Sequence, residues 1–329
     1  MTHCNDQIID QLLTQAEREG RCLIPPSTAI RKALLRRTGD TVVSPTPGLF
    51  ARKARWDELN RAQRHVEIIR ALAVAHPDWT FCSFSAARLL GLEVSWRHLN
   101  VVHVCSATKP SARPGARIQR HRTGAIDQGG ISITPPIQTV TDCLLQTGFA
   151  DGMPIADSAI SKLGLTREQL METVEKRAGA RNGRAVRTAL TTLQYADARA
   201  ESGGESVARA VMIETGFAPD RLQYELTDPF DSTESMRTDF AWERQARELT
   251  LGELDGLIKY TDQTMLAGRT AAETLVAERQ REAHLSLYGH PLIRFTMNEV
   301  RSAGVLAKKL QTAGVRQTAL PTWLNDVDL

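Results

Sequence analysis

The chain has 329 residues, of which 42% are hydrophobic and 24% charged, proportions that exclude a largely disordered protein. This length predicts two or three folded units. No apolar run approaches the ~20 residues of a membrane span, and the first residues lack the basic and apolar regions of a signal peptide, so we expect a cytoplasmic protein without a membrane partner.

Charge is unevenly distributed along the chain, although the net charge is only +3. Residues 1–200 hold 27 Lys and Arg against 18 Asp and Glu, or +9, whereas residues 201–329 hold 14 against 20, or −6. A basic half suits a phosphate backbone and predicts DNA as a partner. The alternative is a solvated basic surface without a ligand.

The cysteines predict no cross-linked framework. They are scattered, odd in number and never spaced as Cys-x-x-Cys, at Cys4, Cys22, Cys82, Cys105 and Cys143. This pattern argues against both disulfides and a zinc site. We expect reduced and mostly buried thiols.

Residues 1–55 are predicted to form a DNA-binding region. Apolar spacing predicts a helix over 6–19, and Ser27 is the expected N-cap of a short basic helix that follows. A hairpin is predicted over 41–51. Helix, basic helix and hairpin are typical of a winged helix-turn-helix, whose second helix enters the major groove. The predicted DNA-binding residues are Arg31, Lys32, Arg36 and Arg37; the alternatives are a partner-binding surface or a degenerate remnant.

Residues 56–197 are predicted to form a middle α+β domain. Its first part combines a helix over 56–75 and a short helix over 85–90 with strands over 79–82, 99–105, 116–121 and 131–134. Helices follow over 139–145, 154–163, 166–177 and 184–195. The stretch from Ala198 to Gly204 is small and glycine-containing and lies where the charge changes sign, so we place the main domain boundary there.

The third domain, residues 203–329, is predicted to be α/β. The expected elements are a helix over 205–215, strands over 222–226, 236–242 and 249–255, a helix over 271–287, a strand over 292–295 and a helix over 298–313. Two of these strands carry three carboxylates. Because strand side chains alternate, Glu253 and Asp255 point to one face, and Asp239 can join them from the adjacent strand.

Clustered carboxylates repel one another unless a cation or proton neutralises them. A hard divalent metal is therefore the expected occupant of this cluster, Mg²⁺ or Mn²⁺. A nuclease needs such a site, because the metal lowers the pKa of a bound water and stabilises charge on a phosphodiester.

The third domain resembles the PD-(D/E)XK nuclease superfamily, in particular the small domains similar to the very-short-patch repair endonuclease. The resemblance covers about residues 203–313 and is carried by Gly204-Glu205-Ser206, Asp239-Phe240, Gly252 to Gly256, Lys259 and residues 278–296. It implies a restriction-endonuclease-like fold with an αβββαβ core. Residues 131–142 suggest a looser resemblance of the first two hundred residues to the AbiEi antitoxins, which are transcriptional regulators with an N-terminal winged helix.

The nuclease resemblance implies a role for each matching residue. Asp239 and Glu253 would ligate Mg²⁺ with the Leu254 carbonyl, and Glu205 would reach the metal directly or through water. The superfamily places a lysine where this chain has Asp255. Lys259 could supply the missing cation if the chain turns back, Asp255 could be a further ligand or a water-positioning base, or the site has lost its chemistry.

Several of these residues also have structural explanations. Glu205 and Arg209 have the spacing of a helix ion pair, the stretch at Lys259 reads as a surface loop, and Asp255-Gly256 reads as a turn. Glu253 is different because its apolar neighbours should bury it, and a buried carboxylate needs compensation. Arg281 and Arg294 can form ion pairs with it, or they can contact phosphate.

Two hypotheses follow from the sequence. One is a metal-dependent DNA endonuclease whose basic N-terminal half holds the DNA. The other is a non-catalytic regulator of antitoxin type, with a degenerate nuclease-like domain and a cognate toxin as partner. Palindromic recognition would favour a homodimer in either case.

Overall fold

A computed structural model of the protein describes residues 2–105, 118–121, 126–128, 130–178, 183–244, 248–255 and 271–324. The chain divides into two compact units. The first comprises residues 1–146 with 168–177, and the second comprises residues 147–167 with 178–329. Within the described ranges, no helix has the length and apolar character needed to cross a membrane.

The secondary structure is mixed in both units. The helices are α1 (Thr2–Arg18), α2 (Thr28–Arg36), α3 (Lys53–Glu58), α4 (Arg61–Ala75), α5 (Ser83–Leu89), α6 (Pro136–Leu144), α7 (Phe149–Leu163), α8 (Arg167–Ala178), α9 (Arg184–Tyr195), α10 (Gly203–Glu214), α11 (Ala271–Ser286), α12 (Met297–Arg301) and α13 (Ala303–Thr312). The strands are β1 (Val42–Thr46), β2 (Leu49–Arg52), β3 (Val102–Cys105), β4 (Ile118–His121), β5 (Ile126–Gln128), β6 (Ile131–Ile133), β7 (Arg221–Thr227), β8 (Ser235–Glu243), β9 (Leu249–Asp255) and β10 (Leu292–Thr296).

The first unit begins with α1, α2 and an antiparallel hairpin of β1 and β2. The Ile30 amide donates a hydrogen bond of 3.3 Å to the hydroxyl of Ser27, which confirms the predicted N-cap of α2. Apolar side chains from these elements meet in one buried cluster that includes Ile9, Leu13, Ala33, Leu34, Val42 and Phe50. This packing directs the opposite side of α2 to solvent.

Two predicted elements of the first unit differ in the structure. The single helix expected over 56–75 is interrupted, because Asn60 and Gln63 form a reciprocal capping box that starts a new helix, α4. The strand expected over 79–82 is reduced to bridges made by Phe81, because the chain turns into α5 at Ser83, whose φ is +49°.

The boundary expected between residues 55 and 56 is not a boundary between compact units. Side chains from both sides share one buried cluster, in which Cys22 and Leu49 pack with Ile69, Leu72 and Phe81. The hairpin therefore completes its core only with α4 and the segments that follow it. The cysteines within this part are free thiols where they are described.

The boundary expected at residues 198–204 also lies inside a compact unit. The start of α10 lies at that segment, yet α10 packs on α7, which precedes it in the chain. Arg209 donates two hydrogen bonds, of 2.8 and 2.7 Å, to the Asp157 carboxylate, and both side chains are buried. Because removing one partner of a buried ion pair strongly destabilises a fold, this pair ties α10 to α7 across the expected linker.

The second unit is built on a four-stranded sheet with the order β10-β9-β8-β7. Strands β7, β8 and β9 are antiparallel neighbours, whereas β10 lies parallel to β9 after the crossover through α11. The helix expected over 298–313 is two helices, α12 and α13, with a break at Ser302.

Each face of this sheet is covered by different helices. One face packs against α10, α12 and α13 through a cluster that includes Phe240, Trp242, Leu254 and Phe295. The other carries Ala241, Leu249 and Leu251 against Leu285 of α11. Because side chains alternate along a strand, Asp239, Glu253 and Asp255 belong to this second face, which α11 covers.

Gly252 keeps β9 close to the core on the first face. A Cβ added there would lie 2.6 Å from the Trp242 ring, which is 2% exposed and donates a hydrogen bond of 2.8 Å to the Phe217 carbonyl. The hydrogen bond and the surrounding core fix the indole ring, so it cannot move aside for a side chain at position 252. Glycine at this position therefore lets β9 pack closely against the Trp242 ring, while the next residue, Glu253, points to the opposite face.

We expect Gly252→Ala to lower the free energy of unfolding by roughly 1–3 kcal/mol, because the new methyl group overpacks the core. Gly304→Ala is the matched control. No atom of the described residues lies within 4 Å of a Cβ added at Gly304, which is in α13, so that change should stabilise by about 0.5–1 kcal/mol. Denaturant unfolding measures both values, and similar values for the two variants would contradict the prediction.

Candidate functional site

Glu253 is the buried centre of a charged cluster on the face covered by α11. Its side chain is held between two arginines and is 9% exposed. Arg281 of α11 contacts Oε1, and Arg294 of β10 donates to Oε2 from Nη2 at 2.9 Å and from Nε at 3.1 Å. Arg294 is the direct register partner of Glu253 in the parallel ladder. The ion pairs predicted as compensation for the buried carboxylate are therefore present.

Arg294 connects Glu253 to two further carboxylates. Its Nη2 lies 2.8 Å from Oε1 of Glu278, and its Nη1 lies 3.9 Å from Oδ1 of Asp255. Burial alone would lower the pKa of Arg294, but the hydrogen bonds and charges of Glu253 and Glu278 outweigh it and raise that pKa above its ordinary value. The guanidinium is therefore permanently charged.

Asp239 lies where β8 and β9 stop pairing. The paired part of the two strands ends at Phe240 and Gly252. Beyond that point the Leu254 amide donates a hydrogen bond of 2.8 Å to the Asp239 carboxylate. The side chain of Asp239 thus continues the contact between the two strands. Asp239 is half-buried and shares the sheet face of Glu253.

Among the described residues, Arg281 and Arg294 connect three carboxylates, those of Glu253, Asp255 and Glu278. Asp239 joins this cluster through its hydrogen bond to the amide of Leu254, which lies between Glu253 and Asp255. Asp255 is more accessible than Glu253, with 46% of its side chain exposed against 9%.

Glu205 acts as the capping acid of α10. Its carboxylate accepts hydrogen bonds from the Ser202 hydroxyl at 2.7 Å and from the Glu201 amide at 3.0 Å, while Ser202 accepts one from the Glu205 amide at 3.2 Å. Gln223 donates a further bond of 2.8 Å. The alternative pairing of Glu205 with Arg209 is wrong, because Arg209 is committed to Asp157.

Glu205 and Asp239 line the same narrow crevice, together with Gln223 and the apolar side chain of Leu222. Glu205 belongs to α10, which packs on the face of the sheet opposite to α11. A water-mediated role toward a cation at Asp239 is compatible with that position, whereas Glu253 faces the α11 side.

The donor set is suited to Mg²⁺ in chemistry but contains few ligands. Among the residues that the structure describes, no three His, Cys, Asp or Glu side chains are arranged to hold a metal ion. Protein sites for Mg²⁺ commonly use only one or two carboxylates, with waters and substrate phosphates completing the shell. Asp239 and Glu253 meet that requirement. Lys259, the candidate cation, lies outside the described residues.

The predicted DNA-binding residues of α2 separate into two groups. Arg31, Lys32 and Arg36 are exposed on the side of the helix that faces away from the buried cluster. Arg37, which follows the helix, pairs with Asp6 and donates a hydrogen bond of 2.8 Å to the Ala33 carbonyl. The structure therefore leaves three of the four cations fully available and uses the fourth to join α2 to α1.

The sequence assigned no role to Glu278, Gln223 or Asp157. One signal was available for Glu278, which is three residues before Arg281 on α11 and so shares its helix face. Asp157 gave only a weak signal, since it is an acid within an apolar helix. Its partner Arg209 is 52 residues away, and nothing local identifies the pair.

Comparison with known proteins identifies two relatives. They are uncharacterized proteins of Mycobacterium tuberculosis, from strains CDC 1551 / Oshkosh and ATCC 25618 / H37Rv, each 33% identical over 130 residues. That stretch is 40% of this chain and 44% of each relative, so the chain spans less than half the length of these curated relatives. No family model and no solved structure matches the chain.

The capping role of Glu205 can be separated from a ligand role by two substitutions. Glu205→Ala should lower the free energy of unfolding by about 1 kcal/mol, whereas Glu205→Gln should stay within about 0.5 kcal/mol, because the glutamine oxygen can still accept hydrogen bonds from the Glu201 amide and the Ser202 hydroxyl. Glu201→Ala is the control, since the Glu201 side chain forms an exposed ion pair with Arg237 and the substitution keeps the backbone amide. Equal losses for Ala and Gln in denaturant unfolding would contradict the assignment of Glu205 as a cap.

Proposed function

We propose that this protein is a metal-dependent DNA endonuclease whose second unit hydrolyses phosphodiester bonds. The observation that carries the proposal is the placement of Asp239, Glu253 and Asp255 on one sheet face, with Asp239 bonded to the Leu254 amide next to Glu253 and Asp255 near the same arginine as Glu253. Carboxylates close to one another on a sheet repel unless a cation or a proton neutralises them, and a hard divalent cation is a suitable partner.

Asp239 and Glu253 would hold the metal, Mg²⁺ or Mn²⁺, and Glu205 would contribute through water. When bound, the metal supplies a water of lowered pKa and offsets charge on the phosphodiester. Asp255, which is accessible and on the same face, can accept a proton from the attacking water at a carboxylate oxygen. Because Asp255 occupies the position of the superfamily lysine, another residue would have to supply its positive charge. Lys259, Arg281 and Arg294 are the candidates.

The first unit would hold the DNA. Arg31, Lys32 and Arg36 form an exposed basic side of α2, and such side chains contact phosphates or base edges when a helix lies in the major groove. Net positive charge in the N-terminal half supports this role. A homodimer would suit a palindromic site.

One observation favours the second hypothesis, a non-catalytic DNA-binding regulator with a toxin partner. Arg281 and Arg294 already satisfy both oxygens of Glu253 without a metal. The same ion pairs around Glu253 would be expected if the cluster only stabilised the fold. Both hypotheses include DNA binding, and they differ in whether the protein hydrolyses DNA.

Plasmid cleavage separates the two functions. We expect supercoiled DNA to be cut in Mg²⁺ or Mn²⁺ and left intact in EDTA. Asp239→Asn and Glu253→Gln should reduce cleavage to background while preserving DNA binding, because each keeps the shape and removes the negative charge that holds the metal.

Glu243→Gln is the matched control for these variants, because Glu243 is on β8 but exposed and paired with Arg221. It should cleave as the wild type does. Absence of cleavage by the wild type, with DNA binding retained in a mobility-shift assay, would support the regulator and exclude the endonuclease. Cleavage that survives both site variants would point to a contaminating nuclease.

The DNA-binding surface makes a separate prediction. Replacing Arg31 and Arg36 together by Gln should weaken duplex DNA binding and reduce the slope of log K against log salt by about 1.8, because each lost phosphate contact contributes about 0.9. Fluorescence anisotropy across a salt series measures the slope. Arg37→Gln is the control and should leave the slope unchanged, since Arg37 is paired with Asp6. An unchanged slope in the double variant would exclude α2 as the DNA contact.

A further inference from the structure

Arg281 is held by contacts of two different kinds. One is the charged contact with Oε1 of Glu253, and the other is a hydrogen bond of 3.0 Å from Nη1 to the backbone carbonyl of Arg237. The carbonyl contact carries no net charge. It positions the guanidinium on the sheet face whether or not Glu253 is available.

Arg294 differs from Arg281 in its remaining partners. If Glu253 turned to a cation, Arg294 would keep its 2.8 Å contact with Glu278 and its neighbour Asp255. Among the residues that the structure describes, Arg281 would keep the carbonyl of Arg237 as its partner. Loss of Glu253 would therefore remove a carboxylate partner of Arg281, whereas Arg294 would retain Glu278 and Asp255.

We infer that Arg281 is a phosphate-binding residue whose guanidinium exchanges Glu253 for a phosphate of the DNA backbone when a divalent cation occupies the site. This inference rests on the proposed metal site at Glu253. Without the cation, Arg281 is engaged by the Glu253 carboxylate. With the cation, Glu253 would turn to the metal and the Arg281 guanidinium would be able to bind an anion.

The chemistry of the side chain fits this exchange. A guanidinium binds carboxylate and phosphate with the same planar fork of donors, so one geometry serves both partners. Arg281 is 33% exposed, which leaves it accessible to a ligand above the sheet. The Arg237 carbonyl fixes one arm of the fork, so less conformational freedom is lost on binding. DNA would then bind near the metal only when the metal is present.

The test compares DNA binding with and without a divalent cation. Fluorescence anisotropy with a labelled duplex of about 20 base pairs, across a salt series, would be measured in Ca²⁺ and in EDTA for the wild type, Arg281→Gln and Arg281→Lys. In EDTA we expect all three slopes to agree. In Ca²⁺ the slope for Arg281→Gln should be shallower than that of the wild type by about 0.9, the contribution of one phosphate contact, and Arg281→Lys should restore it.

Arg221→Gln is the matched control, because Arg221 is an arginine of the same sheet whose charged partner is the exposed Glu243. It should match the wild type in both media. Thermal denaturation of Arg281→Gln establishes that the variant is folded, and Arg281→Lys keeps the charge in case it is not. Equal slopes for Arg281→Gln and the wild type in Ca²⁺ would overturn the inference. A loss of equal size in EDTA and Ca²⁺ would overturn the exchange, since the contact would not depend on the cation.

The failure of this inference is distinguishable from failure of the proposed function. If the wild type cleaves DNA and Arg281→Gln binds DNA in Ca²⁺ with the same salt dependence as the wild type, the endonuclease proposal is supported and the role of Arg281 is rejected. A cation-dependent Arg281 effect without cleavage supports the inference and rejects hydrolysis. If calorimetry detects neither Ca²⁺ nor Mg²⁺ binding to the wild type, both proposals fall.

Discussion

The central constraint on the second unit is the burial of the Glu253 carboxylate. A charge removed from water must be matched by hydrogen bonds and opposite charge, or the fold loses several kcal/mol. Here the match comes from a guanidinium on each carboxylate oxygen, one from α11 and one from β10. Placement of the helix and of the edge strand is therefore tied to a single acidic side chain.

The order of strands in the sheet determines which side chains surround Glu253. Because β10 is parallel to β9, Arg294 lies beside Glu253 in register, and the crossover helix that the parallel connection requires carries Arg281 over the same face. The antiparallel neighbour β8 supplies Asp239 at the point where the two strands separate. The carboxylates and guanidiniums of this cluster thus come from four elements, β8, β9, α11 and β10, and from residues far apart in the sequence.

The organisation into units follows from packing rather than from composition. A glycine-containing segment at 198–204 looks like a linker, but α10 behind it is joined to α7 by the buried pair of Arg209 and Asp157. Likewise the N-terminal hairpin shares its core with α4. The exposed basic side of α2 is consequently presented by a larger unit than the first 55 residues, which should hold it more rigidly than a small isolated domain.

The sequence by itself determined the local features of this protein. Strand alternation placed Glu253 and Asp255 on one face, and hydrogen-bonding chemistry identified Ser27 as a cap, because both depend on a few consecutive residues. Only the tertiary structure decided which guanidiniums meet Glu253, how α10 joins α7, and that Glu205 is occupied as a cap. Those contacts depend on sheet order and helix packing between distant segments, which no local pattern specifies.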